Sequence, residues 1–171
     1  MEFATKCIHE IGAPDATSAC LGALDAWLVI RGIKTLPLRM EQHQKNAFAI
    51  AKWLQKQLRV QYVLYPGLEN HPGYVINKAQ TTSFGGMISF AVDNAETARQ
   101  ILEGVKLIKF AESLGGTESL ITYPIRQTHT DLTAEECAEK GITDCLLRFS
   151  TGIEATQDLI DDLAQAFAVI E

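Results

Sequence analysis

The run Asp144-Cys-Leu-Leu-Arg-Phe-Ser-Thr-Gly-Ile-Glu154, DCLLRFSTGIE in one-letter form, sets an arginine inside an apolar stretch. Leu146, Leu147 and Phe149 read as a short buried strand, and Arg148 stands among them. A guanidinium keeps its proton in any protein, so burying it demands an anion or several carbonyl partners. Working outward, Leu159, Ile160, Leu163, Phe167 and Ile170 recur at helical spacing and predict an amphipathic helix after this strand. Before it, TAEE at 133–136 matches a capping box and predicts the start of a short helix.

Further upstream, KLIKFAESL and ESLITYPI read as two strands around a Gly115-Gly116 turn. Asp93 or Asn94 is placed to cap a helix running to about Val105, and GGMISFAV before it reads as a strand. VQYVLYPGL gives another strand ending in a Pro-Gly turn, and NHPGYVINKAQ a short helix or an irregular segment. A helix from about Met40 to Leu58 places Ala47, Phe48, Ala51, Leu54 and Leu58 on one side, with Lys45, Lys52 and Lys56 on its solvated face. Pro37 divides it from an earlier helix, on which Leu24, Trp27, Leu28 and Ile30 share a side. Residues 1–20 read as a polar, irregular arm, and 21–171 as the folded domain. No regular βαβ rhythm appears. The fold class expected is α+β, a mostly antiparallel sheet covered by helices on one side.

The chain's 171 residues suffice for one domain with a real core. A net charge of −6, with no basic cluster interleaved with aromatics, argues against nucleic acid as a partner. The apolar stretches are far short of a membrane span, and MEFATKCIHE lacks the apolar core of a signal peptide. Cys7, Cys20, Cys137 and Cys145 are scattered without a CxxC pair, which fits reduced thiols and a cytoplasmic location. His9, His43, His71 and His129 show no metal-ligand spacing.

Five strings then fall in one order: AWLVIRGIKTLPLRMEQHQKNA, VLYPGLENHPGY, FGGMISF, AESLGGTESLITYP and GITDCLLRFSTGIE. Together they resemble the C-terminal domain of the Cys/Met-metabolism pyridoxal-phosphate enzymes: cystathionine γ-synthases, γ- and β-lyases, methionine γ-lyases and homoserine sulfhydrylases. MEFATKCIHEIGAPDATSA resembles the extreme N-terminus of the same family. The resemblance implies the C-terminal domain of a fold-type-I transferase and a tetrameric assembly. It also implies elimination or replacement at the β or γ carbon of a sulfur amino acid. Arg148 then matches the arginine that grips the substrate α-carboxylate, by two parallel charge-assisted bonds. Ser113 and Leu114 match positions lining the substrate pocket, and Thr128 a threonine supporting that arginine.

The same chemistry needs a lysine to hold pyridoxal phosphate as a Schiff base and to shuttle a proton. In the family that lysine belongs to a Ser-x-Thr-Lys motif in the large cofactor domain. The chain passes from the arm to the C-terminal domain around 19–22, as though that domain were deleted. Lys6, in FATKC, is explained by the arm. Lys34, Lys45, Lys52 and Lys56 fall on helix faces, and Lys78, Lys106, Lys109 and Lys140 in loops or at element ends. The expectation is that no catalytic residue is present and that pyridoxal phosphate, the family's cofactor, is not bound by this chain alone.

Gly85, Gly86, Gly115 and Gly116 read as turn glycines rather than a phosphate cradle, since neither pair opens a helix. Glu112 and Glu118 belong to the matched string and need no acid–base role, and His129 reads as a structural neighbour of Thr128. The leading functional reading is a truncated family member keeping a substrate half-site without catalysis. The alternative is a non-catalytic assembly protein, a homo-oligomer or the partner of a full-length homologue, with Trp27, Leu28 and Ile30 exposed for association. A free-standing enzyme of new chemistry has no nucleophile–base pair or metal set to support it.

Overall fold

The two-residue period of a strand settles where Arg148 points. In a computed structural model, which describes residues 21–129 and 132–169, Leu146–Ser150 forms the central strand of a five-stranded sheet. Leu147 and Phe149 are fully buried on one face, so Arg148 between them projects from the other.

The elements in chain order are α1 (Ala23–Ile33), α2 (Leu36–Leu54), β1 (Val60–Leu64), α3 (Tyr74–Gln80), β2 (Met87–Val92) and α4 (Ala95–Gly104). They continue as β3 (Lys109–Phe110), β4 (Leu120–Thr122), a 3₁₀ turn (Pro124–Arg126), α5 (Ala134–Glu139), β5 (Leu146–Ser150) and α6 (Thr156–Ala168). The sheet order is β1-β2-β5-β4-β3. Every pairing is antiparallel except β3 with β4. The chain falls into two compact units, residues 1–37 and 38–171. Ile170 and the arm at 1–20 lie outside the described residues.

Cross-strand partners share a face, and the register joins Ile88 to Phe149, Phe90 to Leu147 and Ile121 to Phe149. These side chains cluster with Ala47, Ile50, Ala51 and Leu54 of α2, Ala98 and Ile101 of α4, and Leu159 and Leu163 of α6. The three long helices of the second unit therefore cover one face of the sheet, as the α+β reading requires. Burying each large aliphatic or aromatic side chain here contributes about 1.5–3 kcal/mol. Truncating Phe149, in contact with both neighbouring strands, would cost about 3–5 kcal/mol.

Local signals explain the helix ends. Asn94 caps α4 by accepting from the Thr97 backbone N–H at 2.8 Å. Thr133 and Glu136 form the reciprocal capping box of α5. Pro37 sits in the first turn of α2, where a missing N–H costs nothing. That helix starts and ends four residues earlier than its apolar spacing suggested. Leu58 leaves it fully exposed, while Gln57 donates its side-chain amide back to the Trp53 carbonyl. The two strands expected around Gly115-Gly116 are short and run parallel, so the segment between them crosses the sheet rather than closing a hairpin.

Asp162, 7% exposed on α6, accepts from the backbone N–H groups of Lys106, Leu107 and Ile108 at 2.9–3.2 Å. It fastens the α4–β3 connection to the C-terminal helix. No helix among the described residues is long and apolar enough to cross a membrane.

Candidate functional site

On the sheet face away from the three helices, Arg148 stands between Ser89 of β2 and Thr122 of β4, its cross-strand partners. The residue is half-buried. Its Nε is fully buried, yet donates to nothing. The ion pairs among the described residues are Arg59–Asp93, Arg99–Glu96 and Arg99–Glu103, none of which involves it. A buried guanidinium N–H without an acceptor is costly, so this arrangement asks for an external one.

The segment carrying Ser113 and Leu114 is pinned on both sides of this position. Thr122 Oγ1 donates to the Ala111 carbonyl at 3.0 Å, and the Gly115 N–H donates to Ser150 Oγ at 2.9 Å. Thr122 is the partner of Arg148, and Ser150 lies two residues along the same strand on the same face. Gly115, at φ +75°, allows the chain to turn there without a Cβ clash. Ser113 and Leu114 are themselves exposed, Leu114 at 55%.

Thr128 lies beyond the 3₁₀ turn that follows β4. Its hydroxyl is 2.7 Å from Nδ1 of His129. Arg148 and the 113–114 segment are thus gathered on one face, while Thr128 is engaged with its neighbour rather than with the guanidinium.

A buried polar network, which sequence reasoning missed, holds the end of β5. Glu154 accepts from the Ser119 N–H at 2.6 Å and from the Ser119 hydroxyl at 2.9 Å. The Gly152 N–H donates to the same Ser119 hydroxyl at 2.8 Å. Asn46, fully buried on α2, donates to the carbonyls of Gly152 and Glu154 at 3.0 and 2.9 Å. His43 donates through Nδ1 to the Thr151 carbonyl, and the single Thr151 hydroxyl proton is shared between the His43 and Gly86 carbonyls, each 3.0 Å from Oγ1. This network fixes the Ser-Thr-Gly-Ile-Glu tail of the strand to α2 and so holds the strand from which Arg148 projects. Its only sequence signal was the cluster of hydroxyls and glycine directly after the strand.

A pyridoxal phosphate would need a sheltered lysine. Every lysine among the described residues is exposed. Lys109 spends its amine on the Lys106 carbonyl at 3.1 Å. Gly85-Gly86 leads into β2, and Gly115-Gly116 precedes β4, so neither pair opens a helix toward a phosphate. No cluster among the described residues is arranged to hold a metal ion.

Comparison with known proteins gives the arrangement its context. The profile of the family described as Cys/Met metabolism PLP-dependent enzyme matches residues 4–168. A cystathionine gamma-lyase of Bacillus subtilis is 48% identical over 152 residues, 89% of this chain and 40% of the relative. A cystathionine gamma-synthase of Haemophilus influenzae is 49% identical over 90% of this chain and 37% of its own length. The chain thus spans about 40% of the length of the curated relatives it matches. Among solved structures, cystathionine gamma-lyase from Lactobacillus plantarum complexed with L-serine superposes with a TM-score of 0.83 at 40% identity. That match covers 91% of this chain and 41% of the other. Cystathionine gamma synthase from Xanthomonas oryzae, in complex with cystathionine, gives 0.81 at 44% identity, covering 85% and 38%. The chain belongs to the Cys/Met metabolism PLP-dependent enzyme family.

Proposed function

We propose that this chain carries the substrate-carboxylate half-site of a sulfur amino acid enzyme and does not turn substrate over by itself. Residues 21–171 act as the C-terminal domain of that enzyme, with residues 1–20 as its arm. The observation that carries the reading is the buried, unpartnered Nε of Arg148, on the sheet face opposite the packed helices. A carboxylate approaching it can accept from Nε and one terminal nitrogen at once, the paired geometry a guanidinium fork favours. Ser113 and Leu114, on the segment pinned beside Arg148, would meet the rest of the amino acid, whereas Thr128, engaged with His129, is left out of the half-site. Elimination or replacement at the β or γ carbon also needs an electron sink and a base. No described lysine is sheltered to form an imine, which supports a chain that needs a further domain to bind pyridoxal phosphate.

Ligand-dependent melting tests the half-site. L-Methionine and L-cystathionine should raise the melting temperature of the wild-type chain, and L-methioninamide, which lacks the carboxylate, should not. Equal shifts from acid and amide would remove Arg148 from the account. Incubation with pyridoxal phosphate should give no visible aldimine band; a band that borohydride fixes to any lysine would refute the claim of inactivity alone. A second reading, assembly with a full-length homologue, is favoured by the exposed apolar side chains of α1. Mixing the chain with such a homologue and weighing the complexes by native mass spectrometry separates it from the first.

A further inference from the structure

Residues 111–119, the stretch between β3 and β4 that carries Ser113 and Leu114, have no helix or strand of their own. Glu112, Ser113, Leu114 and Gly115 are all exposed. A stretch of this kind keeps one conformation only where bonds to the rest of the fold offset its lost entropy. At its start, the Ala111 N–H donates to the Ile121 carbonyl at 3.1 Å, and Thr122 Oγ1 donates to the Ala111 carbonyl at 3.0 Å. Past the exposed turn, the Gly115 N–H donates to Ser150 Oγ at 2.9 Å.

The far end converges on one side chain. Glu154 accepts from the Ser119 N–H through one carboxylate oxygen and from the Ser119 hydroxyl through the other. That hydroxyl accepts in turn from the Gly152 N–H, and the Ile153 N–H donates to the Thr117 carbonyl at 2.9 Å. The backbone of Thr117 and Glu118 lies so close against Gly152 that no Cβ fits there. Glu154 takes part in none of the ion pairs among the described residues. Its carboxylate is therefore spent on fully buried Ser119, in charge-assisted bonds roughly twice as strong as neutral ones. The backbone of Glu154 is itself fixed from α2, where buried Asn46 donates to its carbonyl at 2.9 Å. A continuous series of hydrogen bonds thus runs from α2 through Glu154 to Ser119, the residue at which the exposed stretch enters β4.

We infer that Glu154 is a positioning residue for the half-site: acting through Ser119, it sets the path of residues 111–119, and with it where Ser113 and Leu114 meet the side chain of a bound amino acid. The inference rests on the half-site reading proposed above and divides its work between two places. Arg148, on the central strand, takes the carboxylate of any amino acid. The Glu154–Ser119 clasp governs the preference among side chains. Glu154 does this without touching the ligand, because its two oxygens are engaged at the buried end of the stretch.

Two mild substitutions test it on the whole chain. Ser119→Ala removes the hydroxyl and keeps the N–H for Glu154, and Glu154→Gln keeps the shape and one acceptor oxygen. Both preserve the packing, and unchanged circular dichroism checks that the fold survives. Without ligand, exchange of the Gly115 N–H with solvent should quicken about tenfold in each variant, while the β2 amides keep their rates. Glycine and L-methionine then separate the two parts of the site by calorimetric titration. The wild-type chain should prefer L-methionine about tenfold, the gain from half-covering its side chain. In both variants glycine should bind as in wild type, and the preference should fall to about twofold. The double variant should be no worse than Glu154→Gln alone, because both act on one contact. Unchanged Gly115 exchange, an unchanged preference, glycine binding lost with that of methionine, or additive losses in the double variant would each overturn the inference. Arg148→Met serves as the control: it should abolish binding of both amino acids. If it does not, the half-site reading has failed and takes the inference with it; if it does while the preference ignores Glu154, the clasp alone has failed.

Discussion

Replacing Arg148 by methionine separates a site built for a ligand from an arginine built into the fold. The wild-type side chain has its Nε buried and without an acceptor. An unsatisfied buried donor of this kind costs about 1–3 kcal/mol. Methionine keeps much of the unbranched stem that packs between Ser89 and Thr122, and removes the donor. Some contact area is lost with the guanidinium plane, so Arg148→Met should be neutral or stabilising by about 1 kcal/mol in the absence of ligand. In a chain of this size that is a rise of about 2–4 °C in melting temperature. Thermal and urea unfolding, followed by circular dichroism, give the number directly. With a sulfur amino acid present, the order should reverse: wild type gains and Arg148→Met does not. A loss of about 3 kcal/mol or more without ligand, the cost of breaking a buried ion pair, would refute the reasoning, because Arg148 would then be held by partners within the fold.

Other positions have equally definite outcomes. A Cβ at Gly152 would run into the backbone of Thr117 and Glu118, the latter's carbonyl carbon at 2.6 Å. Gly152→Ala should therefore lose about 3 kcal/mol or more, seen as a lowered urea midpoint. Asp162→Ala leaves three buried or half-buried N–H groups at 106–108 without their acceptor and should cost about 2–4 kcal/mol, with faster amide exchange confined to that connection. Burial pushes the Tyr65 phenol up to about 12, with its hydroxyl donating to the Gly85 carbonyl at 3.0 Å. A folded-state value above the unfolded one means stability is intact below pH 10 and lost as pH rises from 10 toward 12, by at most about 2 kcal/mol. Tyr65→Phe should flatten that alkaline slope in a pH series of unfolding curves; a slope unchanged by the substitution would contradict the assignment.

What the sequence made legible was whatever depends on near neighbours. The capping box at Thr133–Glu136 and the Asn94 cap were readable because their partners lie three residues apart. The α+β class followed from alternating and helical spacings; of the helical face expected after Pro37, the structure buries Ala47, Ala51 and Leu54 and leaves Phe48 and Leu58 exposed. The partners of His43 and Asn46 lie 106–108 residues away, so their network was invisible to any local pattern. The parallel sense of β3 and β4 escaped for a related reason. Strands of two and three residues carry almost no periodicity, and the hydrogen bonds from Thr122 and Gly115 that lay the intervening chain across the sheet are tertiary. Arg148 was legible as an anomaly from the start; that its Nε lacks a partner is a property of three strands together.

The resonance of the Arg148 Nε–H group tests the central claim most directly. The chain has only six arginines, and Arg148→Met assigns the signal by its disappearance. Titration with L-methionine at millimolar concentrations, followed by nitrogen–proton correlation spectra, should move that resonance downfield and slow its exchange with water as a carboxylate takes up the free donor. L-Methioninamide should leave it in place. A resonance that ignores the amino acid, or that moves equally with acid and amide, would contradict the half-site.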